Sequence, residues 1–128
     1  MAEEDRRKRF RGYTEDEIAK LDYEAFLKLI PSRERRTLKR GLNHTQKRLL
    51  ETLQKKGTAK THSRDMIIVP EMLGKTVQVH NGKQYVDVRV ELEMLGGRLG
   101  EYAVTRRRVS HQAPGIGATR SSAHMSVK

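Results

Sequence analysis

Five histidines (His44, His62, His80, His111 and His124) and three neighbouring carboxylates (Asp87, Glu91 and Glu93) have the widest chemical repertoire in this sequence. A structural zinc site needs four converging ligands. The histidines are scattered, no His-x-x-x-His pair occurs and the chain has no cysteine, so no metal and no other cofactor is expected. Carboxylates do acid and base work when a pocket drives their pKa values apart. Nothing around Asp87, Glu91 and Glu93 indicates such a pocket, and they read as solvated or arginine-paired acids. The stretches GGRLG and GIG match neither the P-loop nor the dinucleotide-binding spacing of glycines. Glycines that let a backbone run close to another chain are the better account of GGRLG. The sequence is not expected to be an enzyme or to take a small-molecule substrate.

What it carries in quantity is positive charge. The runs RRKRFR, RERRTLKR, QKR, QKK and RRR recur along the chain. Arginine prevails in several of them, and its planar fork binds phosphate oxygens in pairs and stacks on bases. The 128 residues include 27 Lys and Arg against 16 Asp and Glu, a formal charge of +11. Such an excess attracts a polyanion, and nucleic acid is the commonest. The charge is unevenly placed: residues 1–60 hold 17 basic and 10 acidic side chains, residues 61–100 hold 5 of each, and residues 101–128 hold 5 and 1. Basic arms around a neutral centre are expected, an arrangement suited to RNA, where shape and backbone are read more than sequence.

Apolar material is thin. Hydrophobic residues make up 35%, with no Trp and two Phe, so a small core with segments outside it is expected. The absence of cysteine fits a reducing compartment. No apolar run reaches the length of a membrane span, and a soluble, cytoplasmic protein is expected.

The elements that must position these groups are readable in part. Residues 1–13 show no period. Thr14 and Glu17 form the Thr-x-x-Glu pattern of a capping box, followed by Ile18, Leu21, Phe26, Leu27, Leu29 and Ile30. Asp22 can restart the helix and Pro31 ends it. Ser32 is placed to cap RERRTLKR, which Gly41 closes. NHTQKRLLETLQKKG is the best helix, with Leu49, Leu50 and Leu53 in one stripe, a basic opposite face and Gly57 at its end. MIIVP, bounded by proline, reads as a strand, EMLG as a single turn, and Tyr102 and Val104 as a last apolar contact.

KTVQVHNGKQYVDVRVEL is the strongest local signal, since Asn-Gly between alternating runs predicts a two-residue type I′ hairpin. With Asn81 and Gly82 as the loop, Val77, Val79, Val86, Val88 and Val90 share the core face. Thr76, Gln78, His80, Lys83, Tyr85, Asp87 and Arg89 share the outer face. That outer face suits phosphate and ribose contact, although antiparallel sheets also commonly leave a polar face to water.

The segment THSRDMIIVPEMLGKTVQVHNGKQYVDVRVELEMLGGRLGEYAVTRRRVSH resembles the universal small-subunit ribosomal protein nineteen (S-nineteen) family. The resemblance rests on Ser63 and Arg64, VPEMLGKTVQVHNG, Glu93 and Met94, and LGEYAVTR. It extends more loosely upstream through LKRGLNHTQKRLLETL, and the long ends look like the archaeal or eukaryotic version. The resemblance implies an α+β protein without enzymatic activity, bound to ribosomal RNA in the small-subunit head beside small-subunit ribosomal protein thirteen. It also implies a C-terminal tail reaching toward the decoding region and the tRNAs. Position by position it implies RNA contacts at Lys39, Arg40, His62, Ser63, Arg64, His80, Asn81, Gly82, Lys83, Arg98, Leu99 and Gly100, and then at Arg106, Arg107 and Arg108.

The basic runs and the outer face add Arg33, Arg35, Arg36, Lys47, Tyr85, Arg89 and His111 as candidates. The expected architecture is a small mostly antiparallel or mixed three-stranded sheet with a central hairpin, packed by N-terminal helices, with basic extensions at both ends. Residues 1–30 are read as an N-terminal extension with short helices, 31–108 as the RNA-binding core and 109–128 as a flexible tail. The competing reading is a general nucleic-acid-binding or regulatory protein that lays its basic helix on DNA, although no helix-turn-helix signature follows that helix.

Overall fold

Capping side chains divide the front of the chain into short helices. In the computed structural model, which describes residues 8–108 and Ser121, these are α1 (Glu15–Lys20), α2 (Tyr23–Leu29), α3 (Ser32–Lys39) and α4 (His44–Lys56). The Glu17 carboxylate accepts from the Thr14 N–H at 2.8 Å, as the capping pattern predicts. Asp22 Oδ1 accepts from Tyr23 N–H and restarts the chain as α2. Pro31, rather than Ser32, occupies the capping position of α3, and Ser32 is its first residue; proline's fixed φ suits a helix entrance. Asn43 and Gln46 form the reciprocal cap of α4, the Gln46 side chain accepting from Asn43 N–H at 3.0 Å. Gly57 closes α4 in the left-handed region at φ +71°.

The sheet is mixed. Strand β1 (Thr58–Thr61) lies parallel to β2 (Thr76–His80), which is antiparallel to β3 (Tyr85–Arg89), in the order β1-β2-β3. Together with the four helices it makes the expected α+β fold. Gly57 turns α4 directly into β1, and Thr76 N–H donates back to the Gly57 carbonyl at 3.2 Å.

The hairpin departs from the predicted register. His80 pairs with Tyr85, Val79 with Val86 and Val77 with Val88, so the loop is four residues, 81–84, rather than two. The cause is the Asn81 side chain. Its Oδ1 accepts from Lys83 N–H at 3.0 Å and from Gln84 N–H at 2.9 Å, while Asn81 N–H donates to the Gln84 carbonyl at 3.0 Å. Asparagine can thus mimic a backbone turn instead of adopting φ > 0, and only Gly82 is left-handed here, at φ +98°. A slip of two residues preserves which side chains share a face. Val77, Val79, Val88 and Val90 are buried as predicted, and Val86 packs half-buried against them.

The two-residue turn with both φ values positive occurs elsewhere, at Arg11 (φ 53°) and Gly12 (φ 92°). There Phe10 and Tyr13 exchange both backbone hydrogen bonds at 2.9 Å.

MIIVP does not join the sheet. Residues 66–69 are buried, and the Met66 carbonyl and both Ile68 backbone groups bond to residues 96–99. Ile68 N–H donates to Gly97 O at 2.8 Å, Gly96 N–H to Ile68 O at 3.1 Å, and Leu99 N–H to Met66 O at 3.0 Å. With those groups satisfied, the third strand of the sheet is β1, a segment to which the sequence pattern assigns no element.

One core joins all these parts. Leu49 and Leu53 of α4 pack over β1 and the Pro70–Met72 turn, and Ile18, Phe26 and Ile30 of the front helices belong to the same buried cluster. Each such leucine or isoleucine contributes about 1.5–3 kcal/mol by leaving water, and Leu53→Ala would cost about 2–5 kcal/mol. At the other end Ala103 is buried and Tyr102 half-buried, whereas Val104 is 62% exposed, so the apolar contact expected of Val104 is made by Ala103.

Candidate nucleic-acid interface

The end of the sheet where β1 stops and the hairpin turns brings three rings together. His62 follows β1, His80 ends β2 and Tyr85 begins β3. The His62 and His80 rings stack at 4.4 Å between centroids, and Tyr85 meets them edge to face at 5.5 and 4.9 Å. Tyr85 Oη and His62 Nε2 share a hydrogen bond of 2.9 Å. His80 is fixed through Nδ1, which accepts from Gly82 N–H at 3.0 Å and so carries no proton there. The corrected register creates this cluster, because it sets Tyr85 directly opposite His80. Lys60, which points outward from β1, holds Nζ 5.2 Å from the Tyr85 ring centre.

Arg64 anchors the same end from inside. Its Nη1 donates to the His80 carbonyl at 2.7 Å, and its Nη2 donates to the Gly100 and Ala103 carbonyls at 2.7 and 2.6 Å. Three carbonyls engage both Nη atoms, so this arginine acts on the interface by holding His80 in place. Arg35 is likewise turned inward, donating from Nε to Leu27 O at 2.8 Å and from Nη2 to Ile30 O at 3.0 Å. A cation over the last carbonyls of α2 also meets the negative end of the helix dipole.

The other sequence candidates fall in several places. Arg36, Lys39 and Arg40 are exposed on and just after α3, and Lys47 on α4. Among the described residues none of the four makes an ion pair. Arg33 is exposed and pairs through Nε with Glu34 at 2.9 Å. Asn81, Gly82 and Lys83 form the hairpin turn, with Lys83 exposed, and Ser63 lies half-buried beside His62. Arg89 sits at the far end of β3, in a cleft with Glu15, Asp16, Glu91 and Glu93, away from the rings. Arg98 is half-buried, with Nε 3.8 Å from Glu34 and Nη1 donating to Asp65 O at 3.2 Å. Gly100 gives its N–H to the Arg64 carbonyl at 2.8 Å. Arg106, Arg107 and Arg108 are exposed beyond the last turn, and His111 lies outside the described residues.

Glu34, 7% exposed, carries the one markedly buried charge among the described carboxylates. Burial pushes its carboxyl upward, but the Arg33 hydrogen bond, its own backbone and the Arg33 and Arg98 charges outweigh burial and leave it below the ordinary value. Glu17 is also lowered, chiefly by the Thr14 backbone hydrogen bond. Both shifts belong to structural contacts rather than to a catalytic pair. Among the described residues no group of three or more His, Asp or Glu could hold a metal ion, and no helix is long and apolar enough to cross a membrane.

Sequence reasoning missed Lys60, Arg48 and Thr45, which line a groove between α4 and β1 together with Thr52, His62 and Ser63. The alternation in TAKTH was the available signal, since a strand there puts Thr58, Lys60 and His62 on one side.

A small α+β body with solvent-facing cations on two helices and fixed rings at one sheet end has the make-up of a nucleic-acid-binding structural protein. The ribosomal protein S19 family model matches residues 36–111, more than half of the chain, and the protein belongs to that family. It is therefore a structural, ribosomal-RNA-binding constituent of the small ribosomal subunit, from a family that is structural rather than enzymatic.

Proposed function

We propose that the protein docks in the head of the small subunit, where it neutralises ribosomal RNA phosphates, helps assemble the head, and lies beside small-subunit ribosomal protein thirteen. On this reading Arg36, Lys39, Arg40, Lys47, Lys83, Arg106, Arg107 and Arg108 meet the sugar–phosphate backbone, and the tail beyond residue 108 extends toward the decoding site and tRNA. The observation that carries it is a division of labour among the basic side chains of the folded body. Arg35 and Arg64 are consumed by internal carbonyls, whereas Arg36, Lys39, Arg40 and Lys47 face solvent without ion pairs among the described residues. Cations left free in this way bind phosphate by releasing counterions, which makes affinity fall steeply with salt.

Two measurements test this. The protein is expected to sediment with small subunits and intact ribosomes on a sucrose gradient, and free migration at the top would overturn the reading. Purified protein is expected to prefer small-subunit RNA over duplex DNA in direct competition; the reverse preference would favour a DNA-binding regulator using α4.

A further inference from the structure

We infer that His62, His80, Tyr85 and Lys60, with the groove beside them, form a subsite for one unstacked nucleotide of single-stranded RNA, its base against the rings and its phosphate against Lys60 and Arg48. The inference rests on the RNA-binding reading and narrows it to a ligand and a place.

Three observations carry it. First, the rings are not a core feature. They stand on the outer face of the sheet, opposite Val77, Val79 and Val88, with His62 exposed and Tyr85 39% exposed. A face that served only to keep the sheet wetted would need no aromatic surface there. Second, the rings are held before any ligand arrives. Gly82 N–H fixes His80 through Nδ1, Arg64 holds the His80 carbonyl, and Tyr85 Oη bonds His62 Nε2. Rigid rings lose little freedom on binding, which favours affinity.

Third, positive charge is part of the ring surface and of the groove beside it. Lys60 Nζ lies over the Tyr85 ring, 5.2 Å from its centre, and Lys60 also lines the groove with Arg48, Thr45, Thr52, His62 and Ser63. The Thr45 and Ser63 hydroxyls are 3.3 Å apart. A ring surface with a cation and hydroxyls at its rim matches the two halves of a nucleotide, since single strands are bound by stacking bases on aromatic rings while basic groups track the backbone. A base inside a duplex offers no free face to such a platform, so the ligand is an unpaired nucleotide.

The test uses the full chain with a short single-stranded RNA carrying a central 2-aminopurine, and the same RNA with that base removed. Wild-type protein is expected to bind the intact RNA about tenfold more tightly than the abasic one, the order that one stacked base supplies, and to quench the 2-aminopurine fluorescence. His62→Ala, an exposed change whose folding is checked by thermal melting, is expected to abolish both the preference and the quenching while keeping the affinity for abasic RNA. Lys60→Gln is expected to weaken binding to both RNAs and keep the preference. Equal, salt-sensitive binding of the two RNAs by wild type would overturn the subsite and leave the RNA-binding reading standing. Binding of neither would overturn both. An unchanged preference in His62→Ala would remove the rings from the proposal, and unchanged affinity in Lys60→Gln would remove its phosphate half.

Discussion

Arg64 and Gly100 are hydrogen-bonded in both directions. Gly100 N–H donates to the Arg64 carbonyl at 2.8 Å, and Arg64 Nη2 donates to the Gly100 carbonyl at 2.7 Å. The contact is close enough that a Cβ on Gly100 would sit 3.0 Å from both the Arg64 Cβ and its carbonyl oxygen. Gly100→Ala is therefore expected to lose about 1–3 kcal/mol, the usual cost of overpacking, measured by urea denaturation. Arg64→Lys is expected to lose about 3 kcal/mol, because a single ammonium cannot span the three carbonyls and buried acceptors left unmet are costly. Equal stability of Arg64→Lys and wild type would show that the fork is dispensable.

Arg11 is the one described residue other than glycine in the left-handed region. A long side chain there costs about 1–2 kcal/mol relative to the right-handed form, and asparagine is the residue that tolerates this turn position best. Arg11→Asn is expected to raise unfolding free energy by about 0.5–1 kcal/mol. A rise in melting temperature without change in the far-ultraviolet spectrum is the confirming observation.

Glu34 predicts the acid limb of the stability curve. Its folded pKa is lowered, so its contribution is fully present above the ordinary carboxylate range and is lost as pH falls through the lowered value. Glu34→Gln should be less stable than wild type near about pH 6 and should converge with it only once the pH has fallen below the lowered value, where both side chains are neutral. Denaturant midpoints across that interval give the comparison, and parallel curves would mean that Arg33 and Arg98 do not lower this carboxyl.

Arg106, Arg107 and Arg108 lie outside the core. Changing all three to alanine should leave the melting curve in place, weaken RNA binding, and reduce the slope of log affinity against log salt by about 2–3, roughly one per lost phosphate contact. Loss of the folded spectrum would instead move the core boundary past residue 105.

Much of this architecture was legible because local chemistry decided it. Glu17, Asp22 and Gly57 sit at helix ends where their side chains or backbone freedom have one use, and the alternating valines of the hairpin report their face whatever the loop length. The loop itself was not legible, because Asn81 has two ways to make a turn, by φ > 0 or by side-chain acceptance, and the flanking strands decide between them. MIIVP and TAKT were misjudged for a shared reason. A short buried run reads as a sheet strand, yet its hydrogen bonds went to residues 96–99, and a half-polar tetrapeptide became a strand only because β2 lay beside it. Of the candidate interface, the outward placement of His80 and Tyr85 was readable from the alternation. Their stacking with His62 was not, since it depends on a partner 18 residues away in the chain and on the corrected register. The internal use of Arg35 and Arg64 leaves no trace in a count of charges.

The parallel join between β1 and β2 has a consequence for the order of folding. Helix α4 and the β2–β3 hairpin close over short stretches of chain and can form early. Pairing β1 with β2 must first close the intervening segment, 62–75, whose ordering entropy is met only when its contacts are in place. Lys60 and His62 reach Tyr85 and His80 through that last pairing. If the rings take a base as proposed, a newly made chain is expected to offer RNA its basic side chains before the rings, and a stopped-flow experiment would separate electrostatic capture from ring contact.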